Sequence, residues 1–174
     1  MKEDLLIVSL GSNLGNRQNN LERALFFLNQ EIGQLLSVSN VYESEPVGVT
    51  NHPPYLNLVA TFATTLDPIL ILDITQNLEK KEGRLEKGDL KPRVIDIDLI
   101  SMAKRQLRNS RLTLPHSAIQ FRRFVLVPLE EVCPNWSHPQ NGRSVSDLLN
   151  ECSDLLWINK VSTIDLSLCS KLLS

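Results

Sequence analysis

Lys91–Ile100 reads KPRVIDIDLI, and what this stretch folds into decides the architecture. Val94, Ile95, Ile97, Leu99 and Ile100 suit a buried strand, where aspartate is depleted. Asp96 and Asp98 are two residues apart, so on a strand both side chains leave from the same face. Read this way, the stretch is the last strand of a series whose other members lie upstream.

DLLIVSLGSNLGN, from Asp4 to Asn16, begins as a buried strand and stops at a Gly-Ser-Asn-x-Gly turn. Asn16 is placed to cap a helix in which Leu21, Ala24, Leu25 and Leu28 recur at helical spacing, up to Gly33. LLSVSNVYESEP alternates as a strand, VGVTNHPPYLN is a loop broken by Gly48, Pro53 and Pro54, and YLNLVATFATT returns as the second arm of a hairpin. Pro68 opens a second helix, PILILDITQNLEKKEGR, with Ile69, Leu72, Ile74 or Thr75, and Leu78 facing inward. The order strand–helix–strand–strand–helix–strand predicts an α+β, ferredoxin-like antiparallel sheet with helices mainly on one face. Beyond it, RLTLPHSAI suggests a short strand and turn. RRFVLVPLEEVC suggests a helix interrupted at Pro128, and SVSDLLNEC a last helix. The tail from Ser153 has no readable pattern. One domain, 1–174, is expected, with a motif-bearing core of about 5–150 and a C-terminal extension over 153–174.

Hydrophobic residues make up 42% of the chain and charged residues 22%, a globular composition. The 18 Lys and Arg against 20 acids leave a net charge of -2, which argues against broad binding to nucleic acid or membrane. Cys133, Cys152 and Cys169 have neither disulfide-frame nor zinc-site spacing and fit a reducing compartment. With no signal-like or spanning segment, a cytoplasmic protein is expected.

Same-face neighbours on a strand have Cα atoms roughly 6.5–7 Å apart, so Asp96 and Asp98 suit one shared divalent cation or an adjacent pair of them. Oxygen donors favour magnesium, completed by waters and substrate phosphates. The plainer alternative is an edge strand with two solvated acids. Arg84, Arg93, Arg111, His116, Arg122 and Arg123 surround the pair in sequence, and arginine grips phosphate oxygens with a planar fork. No G-x-x-x-x-G-K-[ST] occurs, so any triphosphate site lacks a P-loop. Tyr55 and Asn57, also two apart, pair an aromatic ring with an amide, a means of holding a flat heterocycle, although taken alone Tyr55 reads first as a core aromatic.

SLGSNLGNR, YESEPVG, PPYLN, PRVIDIDLI and RLTLPH…RRFVLVPLEEVCP resemble, in this order, the motifs of 6-hydroxymethyl-7,8-dihydropterin pyrophosphokinases of folate biosynthesis. The resemblance implies transfer of pyrophosphate from ATP to the pterin hydroxymethyl group, giving AMP. It implies that Asp96 and Asp98 hold two magnesium ions, with Arg93 and Arg84 as further catalytic residues. The pterin would lie between Tyr55 and Phe124, with Asn57, Ser44, Glu45 and Val47 at its edges. Gln76, Glu79, Arg84, Arg93, Arg111, Thr113, His116 and Arg122 would meet ATP, with Leu99 and Leu112 beside the adenine. Other folate-pathway enzymes are the implied protein partners. At 174 residues a single-function protein is expected, without the ~250-residue synthase barrel fused to this enzyme in some organisms. Two other readings stand beside this one. A metal-dependent phosphohydrolase would use the same acids and arginines, and a ferredoxin-like RNA-binding module would use sheet aromatics, although no RNP-type segment occurs.

The sequence departs from the family at three points. Glu86 stands where a second arginine is common, Leu90 where R-W-G-P-R has its tryptophan, and Ser117 where an aromatic often follows the histidine. Gly48–Pro54 and Arg84–Lys91 correspond to closing loops, so the first two departures predict weaker closure and a slower chemical or release step. Glu86→Arg combined with Leu90→Trp is expected to raise the single-turnover rate, and a rate no faster than that of the natural loop overturns the expectation.

Overall fold

The computed structural model describes residues 2–48, 51–83 and 91–164. Strand β1 (Asp4–Ser12) lies between β4 (Tyr55–Thr64) and β5 (Asp96–Met102), antiparallel to both. Every residue from Leu6 to Ser12 is buried, as befits a strand paired on both edges at the centre of the sheet. With β2 (Gln34–Val38), β3 (Val41–Ser44) and β8 (Ile158–Ser162), the sheet runs β5-β1-β4-β3-β8, and β2 also pairs with β4. Helices α1 (Arg17–Glu31) and α2 (Pro68–Lys81) complete the predicted order. Leu6, Val8 and Leu10 of β1, and Leu56, Leu58, Ala60 and Phe62 of β4, point to one face and share a core with Leu21, Leu25, Leu28, Ile71 and Leu72 of these helices.

Asn16 caps α1 through the Asn19 N–H, and Asp67 caps α2 one residue before Pro68. The buried stripe of α1 is Leu21, Ala24, Leu25 and Leu28, as its spacing predicts. In α2 it includes Ile71, Leu72, Thr75 and Leu78, while Ile69 and Ile74 pack at its margin.

The opposite face is covered by α3 (Arg123–Val132) and α4 (Val145–Asn150), whose Val125, Leu126, Leu129, Val145 and Leu148 meet Ile7, Val59 and Ile100. The pair of helices expected from the sequence therefore packs on one face, and the C-terminal additions take the other. Helix α3 is not interrupted at Pro128 but runs through it. Pro128 is its sixth residue, so the missing N–H deprives only the Phe124 carbonyl, in the first turn, of its helical partner.

Three more features differ from expectation. β1 does not stop at Gly11 but continues through Ser12, because Gly11 is paired on both edges, to Asn57 and to Asp96. The segment read as one strand, LLSVSNVYESEP, is two. Between them the Ser39 backbone N–H donates to the Val59 carbonyl at 2.9 Å while its Oγ accepts the Val59 N–H at 3.0 Å, and Asn40 turns to Glu131 of α3. The unpatterned tail contains a strand, β8 (Ile158–Ser162), paired to β3 at the sheet's edge. Cys133 and Cys152 are free thiols. No described helix is long and apolar enough to cross a membrane.

Tyr42 of β3 donates its hydroxyl to Glu131 at 2.9 Å. Burial, and then this bond to a carboxylate, push its pKa up to about 12 from 10.0. Because the folded pKa is raised, this contribution is complete below the unfolded pKa of 10.0 and is lost as pH rises towards 12. Chemical unfolding from pH 9 upward is expected to show a steeper alkaline loss of stability in the wild type than in Tyr42→Phe.

Candidate active site

Ligand space arises where the second face of the sheet changes character. Along β1 the residues on this face run Ile7, Ser9, Gly11; along β4, taken in the opposite direction, Val59, Asn57, Tyr55. Ile7 and Val59 lie under α3 and α4, and the helices stop short of the rest. What remains is a cavity of about 310 Å³. Asp96 and Asp98 form one wall, with Arg93 and Arg122; Ser44, Glu45, Pro46 and Val47 form the opposite rim, while Tyr55, Asn57 and Phe124 complete the lining.

The two aspartates do leave the same face of β5, opposite Gly11 and Ser9 of β1 respectively. Each is half-buried and faces an arginine. Arg93 donates to Asp96 Oδ1 at 3.1 Å, and Arg122 to Asp98 Oδ2 at 2.7 Å. Burial works against the Arg93 charge, but Asp96 foremost, with Tyr55 and Glu79, more than compensates and raises its pKa further above the ordinary arginine value. Both ion pairs retain solvent contact and add little to stability. Their effect is to keep two anions and two cations side by side at one mouth.

Asn57 is buried and donates to Ser44 Oγ at 2.8 Å, which fixes its amide beside the Tyr55 ring. Phe124 lies at the start of α3, with the Arg122 guanidinium 5.8 Å from its ring centre. Thus all six residues expected at the heterocycle (Ser44, Glu45, Val47, Tyr55, Asn57 and Phe124) line one cavity with Arg93, Asp96, Asp98 and Arg122.

The other nucleotide-side candidates do not line it. Leu99 and Leu112 belong to the core on the α1 and α2 side. Arg111 pairs with Asp73 of α2, exposed at the surface, and Thr113 forms a two-residue strand, β7 (Thr113–Leu114), with β6 (Leu107–Arg108). His116 sends its backbone N–H to Ile100 and accepts the Ala118 N–H at Nδ1. Gln76 is half-buried on α2, and Glu79, one turn on, is buried, with Oε1 accepting the Ile97 N–H at 2.8 Å. Arg84, Glu86 and Leu90 lie outside the described residues, as do Val49 and Thr50 of the first loop.

Sequence reasoning missed Gly11 as a floor. A Cβ there would stand 3.0 Å from Asn57 Oδ1 and 3.4 Å from a Tyr55 ring carbon. A glycine inside a strand pattern marks a close approach of this kind, and this was the available signal. Asn13 was missed too. Its Oδ1 accepts the Arg93 N–H at 2.7 Å and its Nδ2 donates to the Pro53 carbonyl at 3.3 Å, so it braces the two loop bases against each other. Arg17 adds a bond to the Pro54 carbonyl and an ion pair with Glu43.

The family model described as 7,8-dihydro-6-hydroxymethylpterin-pyrophosphokinase matches residues 7–134. The chain belongs to this family. A 2-amino-4-hydroxy-6-hydroxymethyldihydropteridine pyrophosphokinase of Porphyromonas gingivalis is 41% identical over 140 residues, 78% of this chain and 95% of the relative. One from Synechocystis is 36% identical over 146 residues, 83% of this chain and 74% of that one. Among solved structures, the wild-type Plasmodium falciparum HPPK-DHPS with pteroate superposes with a TM-score of 0.69 at 15% identity. That match covers 86% of this chain but 44% of the other, and at this identity it supports the fold alone.

Gly11→Ala places a methyl group against Asn57 and Tyr55 on the cavity floor, so a flat heterocycle is expected to bind at least tenfold more weakly while the melting temperature changes little. Isothermal titration together with a thermal melt checks both.

Proposed function

We propose that the chain transfers pyrophosphate from ATP to 6-hydroxymethyl-7,8-dihydropterin, giving AMP and the pterin diphosphate ester, within folate synthesis. The observation that carries this is one cavity joining a ring-and-amide pocket to a carboxylate and arginine wall. Family membership supports the choice of substrates.

In this reading the pterin ring stacks between Tyr55 and Phe124, and the Asn57 amide, held by Ser44, reads its polar edge. The hydroxymethyl group then points to the aspartate wall. Its oxygen attacks the β-phosphorus of ATP, the bond from that phosphorus to the α-phosphate oxygen breaks, and AMP leaves while the hydroxyl proton is lost. Arg93 and Arg122 offer donors to phosphate oxygens and balance the charge gathered there. Arg84, by resemblance, joins them.

Asp96 and Asp98 fit magnesium by donor chemistry: two half-exposed carboxylates on one strand face, with no third His, Cys, Asp or Glu completing a cage among the described residues. When bound, the metal, which we take as two ions, supplies Lewis-acid activation of the hydroxyl and neutralises phosphate charge. Gln76, Glu79, Arg111, Thr113 and His116, with Leu99 and Leu112 at the adenine, are proposed for the nucleotide, on the α2 side of β5. We place the reaction in the cytoplasm, with other folate-pathway enzymes as partners.

AMP formation from ATP and magnesium, measured with and without the pterin, tests the proposal. Pterin-dependent AMP is expected in the wild type, falling at least 100-fold in Asp98→Ala. AMP released equally without the pterin would point to a phosphohydrolase and overturn the proposal.

A further inference from the structure

Residues after Cys152 lie past the 7–134 matched by the family model, yet they touch both walls of the cavity. Asp154 Oδ2 accepts the backbone N–H of Arg123, the first residue of α3, at 3.0 Å, and Oδ1 accepts the Leu156 N–H at 3.0 Å. The first turn of a helix has N–H groups without helical partners. Arg122, in the N-cap position of α3, supplies no side-chain acceptor. Asp154 fills this role from 31 residues away, and its charge also complements the helix dipole. The neighbours of Arg123 are two cavity residues, Arg122 at the N-cap, paired with Asp98, and Phe124 in the first turn of α3.

Three residues further on, the Trp157 carbonyl accepts the Glu45 N–H at 3.4 Å, and Ile158 pairs with Ser44. Glu45 and Ser44 form the opposite rim. One short stretch of chain therefore sets the spacing between the start of α3 and the end of β3.

We propose that Asp154 is a positioning residue for the pterin pocket: by capping α3 from the C-terminal segment it holds Phe124 and Arg122 in register with the rim at Ser44 and Glu45. This rests on the function proposed above. It predicts that loss of the carboxylate weakens pterin capture more than it slows turnover.

The test uses the full chain as wild type, Asp154→Ala, Asp154→Asn and Ser144→Ala. Ser144 caps α4, which does not line the cavity, so its variant loses a comparable cap away from the site. Below the melting temperature of all four, Asp154→Ala is expected to raise the pterin KM about fivefold, the scale of one lost cap, with kcat within twofold. Asp154→Asn, whose amide oxygen still accepts from Arg123, is expected within about twofold of the wild type, as is Ser144→Ala. Amide exchange at Arg123–Val125 is expected to quicken in Asp154→Ala alone. An unchanged KM in Asp154→Ala, or an equal rise in Ser144→Ala, overturns the inference. A wild type that forms no pterin-dependent AMP overturns the function instead, and unchanged exchange in Asp154→Ala then removes the capping role as well.

Discussion

Strand β1 has a hydrogen-bonded neighbour on each edge, so no side chain of its second face can leave for solvent by moving the strand. Whatever stands on that face must be covered or must be a site. Ile7 is covered by α3 and α4; Ser9 and Gly11 are not, and the cavity begins at this boundary. A similar break occurs in β4 between Val59 and Asn57, and in β5 between Ile100 and Asp98. The change falls at matching positions on β1 and β5, where Ser9 pairs with Asp98, and one residue pair further on in β4, where Val59 still stands opposite Ser9, so pairing register places the floor of the site.

Electrostatics then decides what such a cleft can accept. Two carboxylates on one bare strand would repel each other and would carry a desolvation cost as helices closed around them. Arg93 and Arg122 arrive from either side, one from the segment before β5 and the other from the cap of α3. The resulting mouth is near neutral in sum but strongly structured in sign. A ligand carrying both phosphates and bound cations matches this pattern better than a simple anion or a simple cation does.

The sequence made most of the strand and helix order readable because β1, α1 and β4 have strong periods, from Leu6–Leu10 through Leu21–Leu28 to Leu56–Phe62, whereas β2 and β3 merged into one. Its D-x-D and Tyr-x-Asn pairs were readable for the same reason, since alternation alone puts each pair on one face. Other features were hidden by chemistry that spacing does not carry. The break at Ser39 depends on hydrogen bonds to Val59 and Glu131, residues 20 and 91 positions from their partners. β8 has mostly exposed residues and no alternating pattern, because it lies at a sheet edge and borrows its order from β3. Glu79 looks like an ordinary helix-surface acid until the strand whose N–H it accepts is in place.

That last contact also bears on solubility at high concentration. β5 is an outermost strand, and an outermost strand ordinarily offers its free backbone groups to any other extended chain. Here the outward N–H of Ile97 is already taken by Glu79, and the Ile100 carbonyl by His116. A foreign strand adding at those positions would have to displace a buried carboxylate and a folded turn. The sheet is closed to growth beside Asp96 and Asp98, so a row of polar groups next to the cleft can stay wet without inviting edge-to-edge assembly.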